Sequence, residues 1–158
     1  MIKIIAAGKV KEDYLRAGIK EFEKRISAYS KFCIIEVPDE MCPQSASLKE
    51  QYLIKEKEGM RILDKISDRD FVITLEISGR KMTSEGFADY LNRLAVSGQS
   101  DVTFVIGGSL GLWDKVSERS DLKLSFSDMT FPHQLMRLIL CEQLYRSFRI
   151  NRNEPYHK

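Results

Sequence analysis

A chain of 158 residues fits one domain, 1–158, and is long enough to bury a core without a disulfide or a metal to hold it together. Its 43% hydrophobic and 30% charged residues are those of a globular protein in water, and 25 Lys plus Arg against 23 Asp plus Glu leave a net charge of only +2, so any polyanion-binding surface must come from local clustering. Cys33, Cys42 and Cys141 are odd in number and lack C-x-x-C spacing, no run is long enough to span a membrane, and the apolar start MIKIIAAGKV is too short for a signal peptide. These features exclude a disulfide scaffold, give no reason to expect a metal, and lead us to expect a reduced, cytoplasmic protein.

Ile2 to Ala7, closed by Gly8, reads as a buried strand. Leu15, Ile19, Phe22 and Ile26 then fall on one face of a helix, with charges opposite. Phe32 to Val37 is a second strand, stopped by Pro38, and Asp39 to Ala46 a loop. Ser47 and Glu50 form a capping-box pattern that opens a helix to about Ile66, whose Lys/Glu run reads as a solvated face. Phe71 to Ile77 is a third strand. Thr83 caps a helix to about Val96, ended by Ser97-Gly98, and Val102 to Ile106 is a fourth strand running into Gly107-Gly108. A short helix over Asp114 to Arg119 precedes a fifth strand, where Leu122, Leu124 and Phe126 alternate with polar residues. The last helix begins near Pro132, with Thr130 as candidate cap, and runs to about Arg149.

Strands alternating with helices predict an α/β domain, a mostly parallel sheet with helices on both faces. Ligands of such sheets bind beyond the carboxyl ends of the strands, which singles out the loops after Leu75-Ile77, after Ile106 and after Phe126. In FVIGGSLGLW, Gly107, Gly108 and Gly111 let backbone approach a ligand, although the spacing is neither G-x-G-x-x-G nor a Walker loop; a tight turn explains them equally well. FSDMTFPH could offer backbone groups to a purine edge, or be a plain helix start. Leu135, Leu138, Ile139 and Leu140 surround the last helix, which points to burial by the core or a partner chain; a dimer contact is the reading favoured here. Beyond them Arg146, Arg149 and Arg152 interleave with Tyr145, Phe148 and Tyr156, a combination suited to phosphates and unstacked bases and also to an ordinary basic C-terminus.

The strings IGGSLGL and LSFSDMTFPHQLMRLILCEQLYRSFRINRNEPYHK closely resemble a bacterial rRNA methyltransferase family, the large-subunit methyltransferases H of the SPOUT superfamily. The resemblance runs from MIKIIAAGK to the final YHK, with IGG-x-x-G, S-x-x-T-F-P-H and N-x-x-x-Y-H-K in family order. It implies a C-terminal trefoil knot and methylation, from S-adenosylmethionine, of N3 of a pseudouridine in the 23S rRNA decoding-centre stem-loop of assembled ribosomes. It implies cofactor contacts at Leu75, at Gly107 and Gly108, and at Ser127, Asp128, Met129, Thr130, Phe131 and Pro132. It further implies a homodimer in which one subunit's tail completes the other's site, so that the tail would lack an anchor in a monomer.

The neutral imide at N3 is a poor nucleophile, so its proton must leave. We assign His157 as proton acceptor or base-orienting group, because an imidazole handles protons near neutral pH. Tyr156 would position the target, and Arg146, Arg149 and Arg152 would hold phosphates. No charged partner for His157 is visible in the sequence. His133 reads as support for the cofactor loop and Trp113 as core. Competing readings are a related methyltransferase acting on tRNA or another rRNA site, a non-catalytic ribosome-assembly factor and, more distantly, a dinucleotide oxidoreductase, which the glycine spacing disfavours.

Overall fold

In a computed structural model describing residues 1–158, the chain runs β1 (Ile2–Ala7), α1 (Asp13–Ser27), β2 (Phe32–Val37), α2 (Leu48–Leu63), β3 (Phe71–Lys81), α3 (Ser84–Val96), β4 (Val102–Ile106), α4 (Asp114–Arg119), β5 (Leu122–Ser125) and α5 (His133–Asn151). The five strands form one wholly parallel sheet in the order β2-β1-β4-β3-β5. Parallel strands need crossover helices, which cover both faces and make the strands apolar on both sides. All five residues of β4 are accordingly buried.

On one face Ile4, Ile73 and Phe104 pack against Leu15 and Ile19 of α1, Phe87 of α3, and Leu140 and Leu144 of α5. On the other, Ile5, Val72 and Val105 meet Ile62 of α2, Trp113 and Val116 of α4. The helical spacing of Leu15, Ile19 and Ile26 is thus a core stripe, and Trp113 is core, 4% exposed, donating its indole N–H to the Tyr52 hydroxyl at 3.2 Å. The capping box of α2 and the Thr83 cap of α3 both form. No helix is long and apolar enough to cross a membrane.

The structure departs from the sequence reading in three places. β3 extends to Lys81 rather than Ile77, because it pairs with β5 twice: Leu75 and Arg80 both lie opposite Leu124, and the residues between them bulge out of register. A Cβ at Gly79 would come within 2.7 Å of the Lys123 carbonyl, so the close approach there requires glycine. α2 ends at Leu63, with Asp64 as C-cap. Thr130 does not cap α5; Pro132 occupies the N-cap position and no side chain caps the helix.

α5 packs against α1 and α3 on the sheet face that holds Leu140, Cys141 and Leu144, which buries Leu140, while Leu135, Leu138 and Ile139 stay half-buried. One buried cation also ties α5 to the sheet: Arg137, 1% exposed, donates to Glu36 at 2.6 Å and to the Gly8 carbonyl at 3.0 Å, linking α5 to the ends of β1 and β2.

Candidate active site

The register of the sheet brings the three predicted segments to one level, although the first of them is strand and not loop. Thr74 pairs with Val105 and Leu75 with Leu124, so Leu75 within β3, Gly107 after β4 and the turn after Ser125 of β5 lie at nearly the same level on three adjacent strands. Adjacent parallel strands lie about 4.8 Å apart, close enough for one small molecule to touch all three segments.

After β4 the chain folds back on itself, with Gly111 N–H donating to Gly108 C=O at 3.1 Å and Gly111 at φ +83°. A Cβ on Gly107 would meet the Gly111 carbonyl carbon at 2.8 Å, and one on Gly108 would meet Glu58 Oε2 at 2.9 Å. The tight turn and the bare backbone surface are the same feature. A side chain at Gly107 or Gly108 would collide with protein already there, whereas the Cβ position of Gly111 meets nothing within 4 Å, so the bare main chain of this turn fits a ligand held by backbone.

The loop after β5 is ordered by its own serines. Ser125 Oγ donates to Ser127 C=O at 3.2 Å, and Met129 N–H donates to Ser127 Oγ at 3.0 Å. Asp128 pairs with Lys81. Asp128, Met129, Thr130 and Pro132 are exposed, while Ser127 and Phe131 are half-buried. His133, half-buried at the start of α5, has its pKa lowered by burial and then by the Arg137 charge.

The C-terminal tail is anchored on its own subunit, contrary to the expectation for a single chain. Glu142 on α5 is the hub: its Oε1 accepts from Arg146 Nη2 at 2.6 Å and from the Tyr156 hydroxyl at 3.0 Å. The Arg146 guanidinium lies over the Tyr156 ring, 4.8 Å from its centroid, and Tyr145 meets that ring edge-on. Burial, followed by the hydrogen bond to Glu142, raises the Tyr156 pKa, and the same carboxylate raises that of Arg146. His157 Nδ1 sits 3.1 Å from Arg146 Nη1, and Nε2 sits 2.8 Å from Glu85 Oε1. Arg149 donates to the Pro155 carbonyl at 2.8 Å and pairs with Glu154 at 2.7 Å. Arg152 forms no ion pair; it is exposed, over the Tyr29 ring.

The tail cluster adjoins a cavity of about 200 Å³ between α3, α5 and the end of β5, lined among others by Ser84, Phe87, Phe126, Ile139 and Gln143. Ser84 Oγ donates to Gln143 Oε1 at 2.8 Å, and Gln143 Nε2 donates to Glu142 at 2.8 Å, so one hydrogen-bonded chain runs from cavity wall to tail. The cavity touches neither Leu75 nor the glycine loop. Sequence reasoning did not single out Glu142, Glu85 or Glu58. Glu142 had a signal in its i,i+4 spacing to Arg146. Glu58, read as part of a solvated face, is 4% exposed because the glycine loop lies over it, and nothing in its own helix announces that.

The family described as "Predicted SPOUT methyltransferase" matches residues 1–157. A protein of Bacillus thuringiensis subsp. konkukian named "Ribosomal RNA large subunit methyltransferase H" is 61% identical over 157 residues, covering 99% of each chain. One of the same name from Bacillus cereus strain B4264 is 60% identical over the same span. Among solved structures, a methylase family protein of Haemophilus influenzae superposes with a TM-score of 0.54 over 99% of this chain and 70% of its own, at 12% identity. One from Neisseria gonorrhoeae gives 0.52 over 91% and 81%, at 13% identity. These two share the fold. With the family match over nearly its whole length and relatives this close, the chain belongs to the SPOUT methyltransferases.

Proposed function

We propose that this enzyme transfers a methyl group from S-adenosylmethionine to N3 of a pseudouridine in the decoding-centre stem-loop of 23S rRNA, on assembled ribosomes in the cytoplasm. The observation that supports it most is the 61% identity, over 99% of both chains, to a protein named as a large-subunit rRNA methyltransferase. The resemblance further supports a homodimer and a trefoil knot in the C-terminal part.

Leu75, Gly107, Gly108 and Ser127 to Pro132 would hold the methyl donor where β4 and β5 end beside Leu75 of β3. When bound, S-adenosylmethionine supplies an electrophilic methyl on a sulfonium. The protein's task is then to orient the attacking nitrogen and to receive its proton. His157 is the group assigned to that proton. An arginine only donates, so the nitrogen facing Arg146 is the acceptor, and Nε2 carries the hydrogen directed at Glu85. A backbone phosphate competing for Arg146 would uncover Nδ1 as the base arrives, which couples RNA binding to proton acceptance. Tyr156 would brace the target base. Arg152, with no acidic partner, is the cation most available to a phosphate, and Arg146 and Arg149 would exchange Glu142 and Glu154 for phosphates.

The test is transfer of radiolabelled methyl to ribosomes from a strain lacking the gene, with the labelled nucleotide mapped. Label at N3 of that pseudouridine is expected. Donor binding with label elsewhere would keep the methyltransferase and move its substrate to tRNA or another rRNA site.

A further inference from the structure

Glu58 carries a buried carboxyl group with no role so far. Its neighbours in the Lys/Glu run of α2 include residues that meet solvent, yet Glu58 is 4% exposed. Oε1 accepts the Glu40 N–H at 2.9 Å. Oε2 lies 2.9 Å from the point that a Cβ on Gly108 would occupy, and no protein group donates to it. Arg61 is the one cation acting on this carboxyl, and its two hydrogen bonds go elsewhere, to Pro38 C=O at 2.8 Å and Glu40 Oε1 at 2.6 Å.

A second carboxylate stands beside it. Asp39 Oδ2 lies 3.0 Å from the Cβ position of Gly8, at the end of β1, the strand next to β4. Two carboxylates therefore back the glycines that end adjacent strands, and neither forms an ion pair. Burial, with the Asp39 and Glu40 charges adding to it, pushes the Glu58 carboxyl above its ordinary value. Oε2 thus has no protein donor and is not sealed from solvent, which leaves it open to a donor from a ligand, and the structural role of Glu58 is complete with Oε1 alone.

We propose that Glu58 is a further binding residue for the methyl donor, its Oε2 accepting a hydrogen bond from an N–H or O–H group of the donor seated over Gly108, either the ammonium or a ribose hydroxyl. This rests on reading the glycine loop as the donor site. A carboxylate accepts more strongly than a neutral group, and the crowding of Asp39 and Glu40 favours a ligand bearing positive charge.

Glu58→Gln is a clean reversal. The amide must keep its oxygen on the Glu40 N–H, which turns its NH2 toward Gly108, so an acceptor becomes a donor at constant volume. Calorimetric binding of S-adenosylhomocysteine and of 5′-methylthioadenosine, which lacks the amino-acid portion, is compared in wild type and variant. The expected result is at least about tenfold weaker binding of S-adenosylhomocysteine with melting temperature retained. Loss confined to S-adenosylhomocysteine assigns the ammonium; equal loss for both ligands assigns a ribose hydroxyl. Unchanged affinity for both overturns the proposal. Glu58→Asp, which keeps the charge and withdraws it by one methylene, gives the same reading should the amide variant fold poorly. A wild-type protein that binds neither ligand would instead remove the donor-site reading beneath it.

Discussion

Arg146 and His157 face each other at 3.1 Å, guanidinium to Nδ1, while the opposite nitrogen of the ring meets Glu85 at 2.8 Å. Both ring nitrogens are engaged, so the imidazole is held in a defined orientation and tautomer by residues of two different helices, α5 and α3. In this arrangement the tail is closed on its own subunit.

His157→Ala should separate catalysis from donor binding. Methyl transfer to ribosomes is expected to fall by about 10²-fold or more, the usual scale for losing a proton acceptor. The dissociation constant for S-adenosylhomocysteine should stay within about twofold, because the ring is bonded to Arg146 and Glu85 and not to the glycine loop. Unchanged turnover would remove His157 from the chemistry and leave it as a clasp.

Glu142→Gln should open the tail. One carboxylate oxygen accepts from both Arg146 and Tyr156, and the ion pair is only about one-quarter exposed. Replacing a charged acceptor by a neutral one costs about 1–1.5 kcal/mol, or roughly tenfold in the local opening equilibrium. Hydrogen exchange over residues 153–158 should quicken by that factor while β4 stays protected. Equal exchange in the two proteins would show that the aromatic contacts alone hold the tail.

Gly107→Ala should damage the glycine loop at its base. Its Cβ would stand 2.8 Å from the Gly111 carbonyl carbon and 3.1 Å from Leu112 Cδ2, and the backbone cannot step aside as a side chain could. We expect a stability loss of about 1–3 kcal/mol in urea unfolding and no measurable binding of S-adenosylhomocysteine. Gly98→Ala, where a Cβ meets nothing within 4 Å though φ is +87°, separates the two effects: backbone strain without loss of binding.

His133 should make stability fall in acid. Its folded-state pKa is depressed by burial and by Arg137, so the unfolded chain binds the proton more readily. The stability it contributes is present above the unfolded value near ~6.5 and is lost as pH falls through the lower folded value. Melting temperatures of wild type and His133→Gln from about pH 8 to 5 should diverge, with the wild type losing ground toward acid. Parallel curves would show that the imidazolium is not penalised in its site.

Much of the architecture was legible because it rests on local rules. The stripe of Leu15, Ile19 and Ile26, the Ser47–Glu50 box, the Thr83 cap and the limits of β2 and β4 each depend on neighbours a few residues away. So did the placing of Gly107 and Ser127 in strand-end loops, since ligand-facing turns follow from an alternating parallel pattern, whereas Leu75 lies inside β3. The bulge of β3 against β5 was not legible, because a second pairing with Leu124 is decided by a strand that arrives some forty residues later.

By itself, then, the sequence determined the order of elements, the α/β class, the family motifs and which loops hold glycine. Only the tertiary structure decided that Glu58 is buried behind Gly108, that Arg137 pins α5 to Glu36 and Gly8, and that Glu142 and Glu85 close the tail through Tyr156 and His157. A charged side chain looks alike on any helix face. What it does depends on which distant backbone or counter-charge folding brings within about 3 Å, where direct hydrogen bonding and desolvation outweigh contact with water.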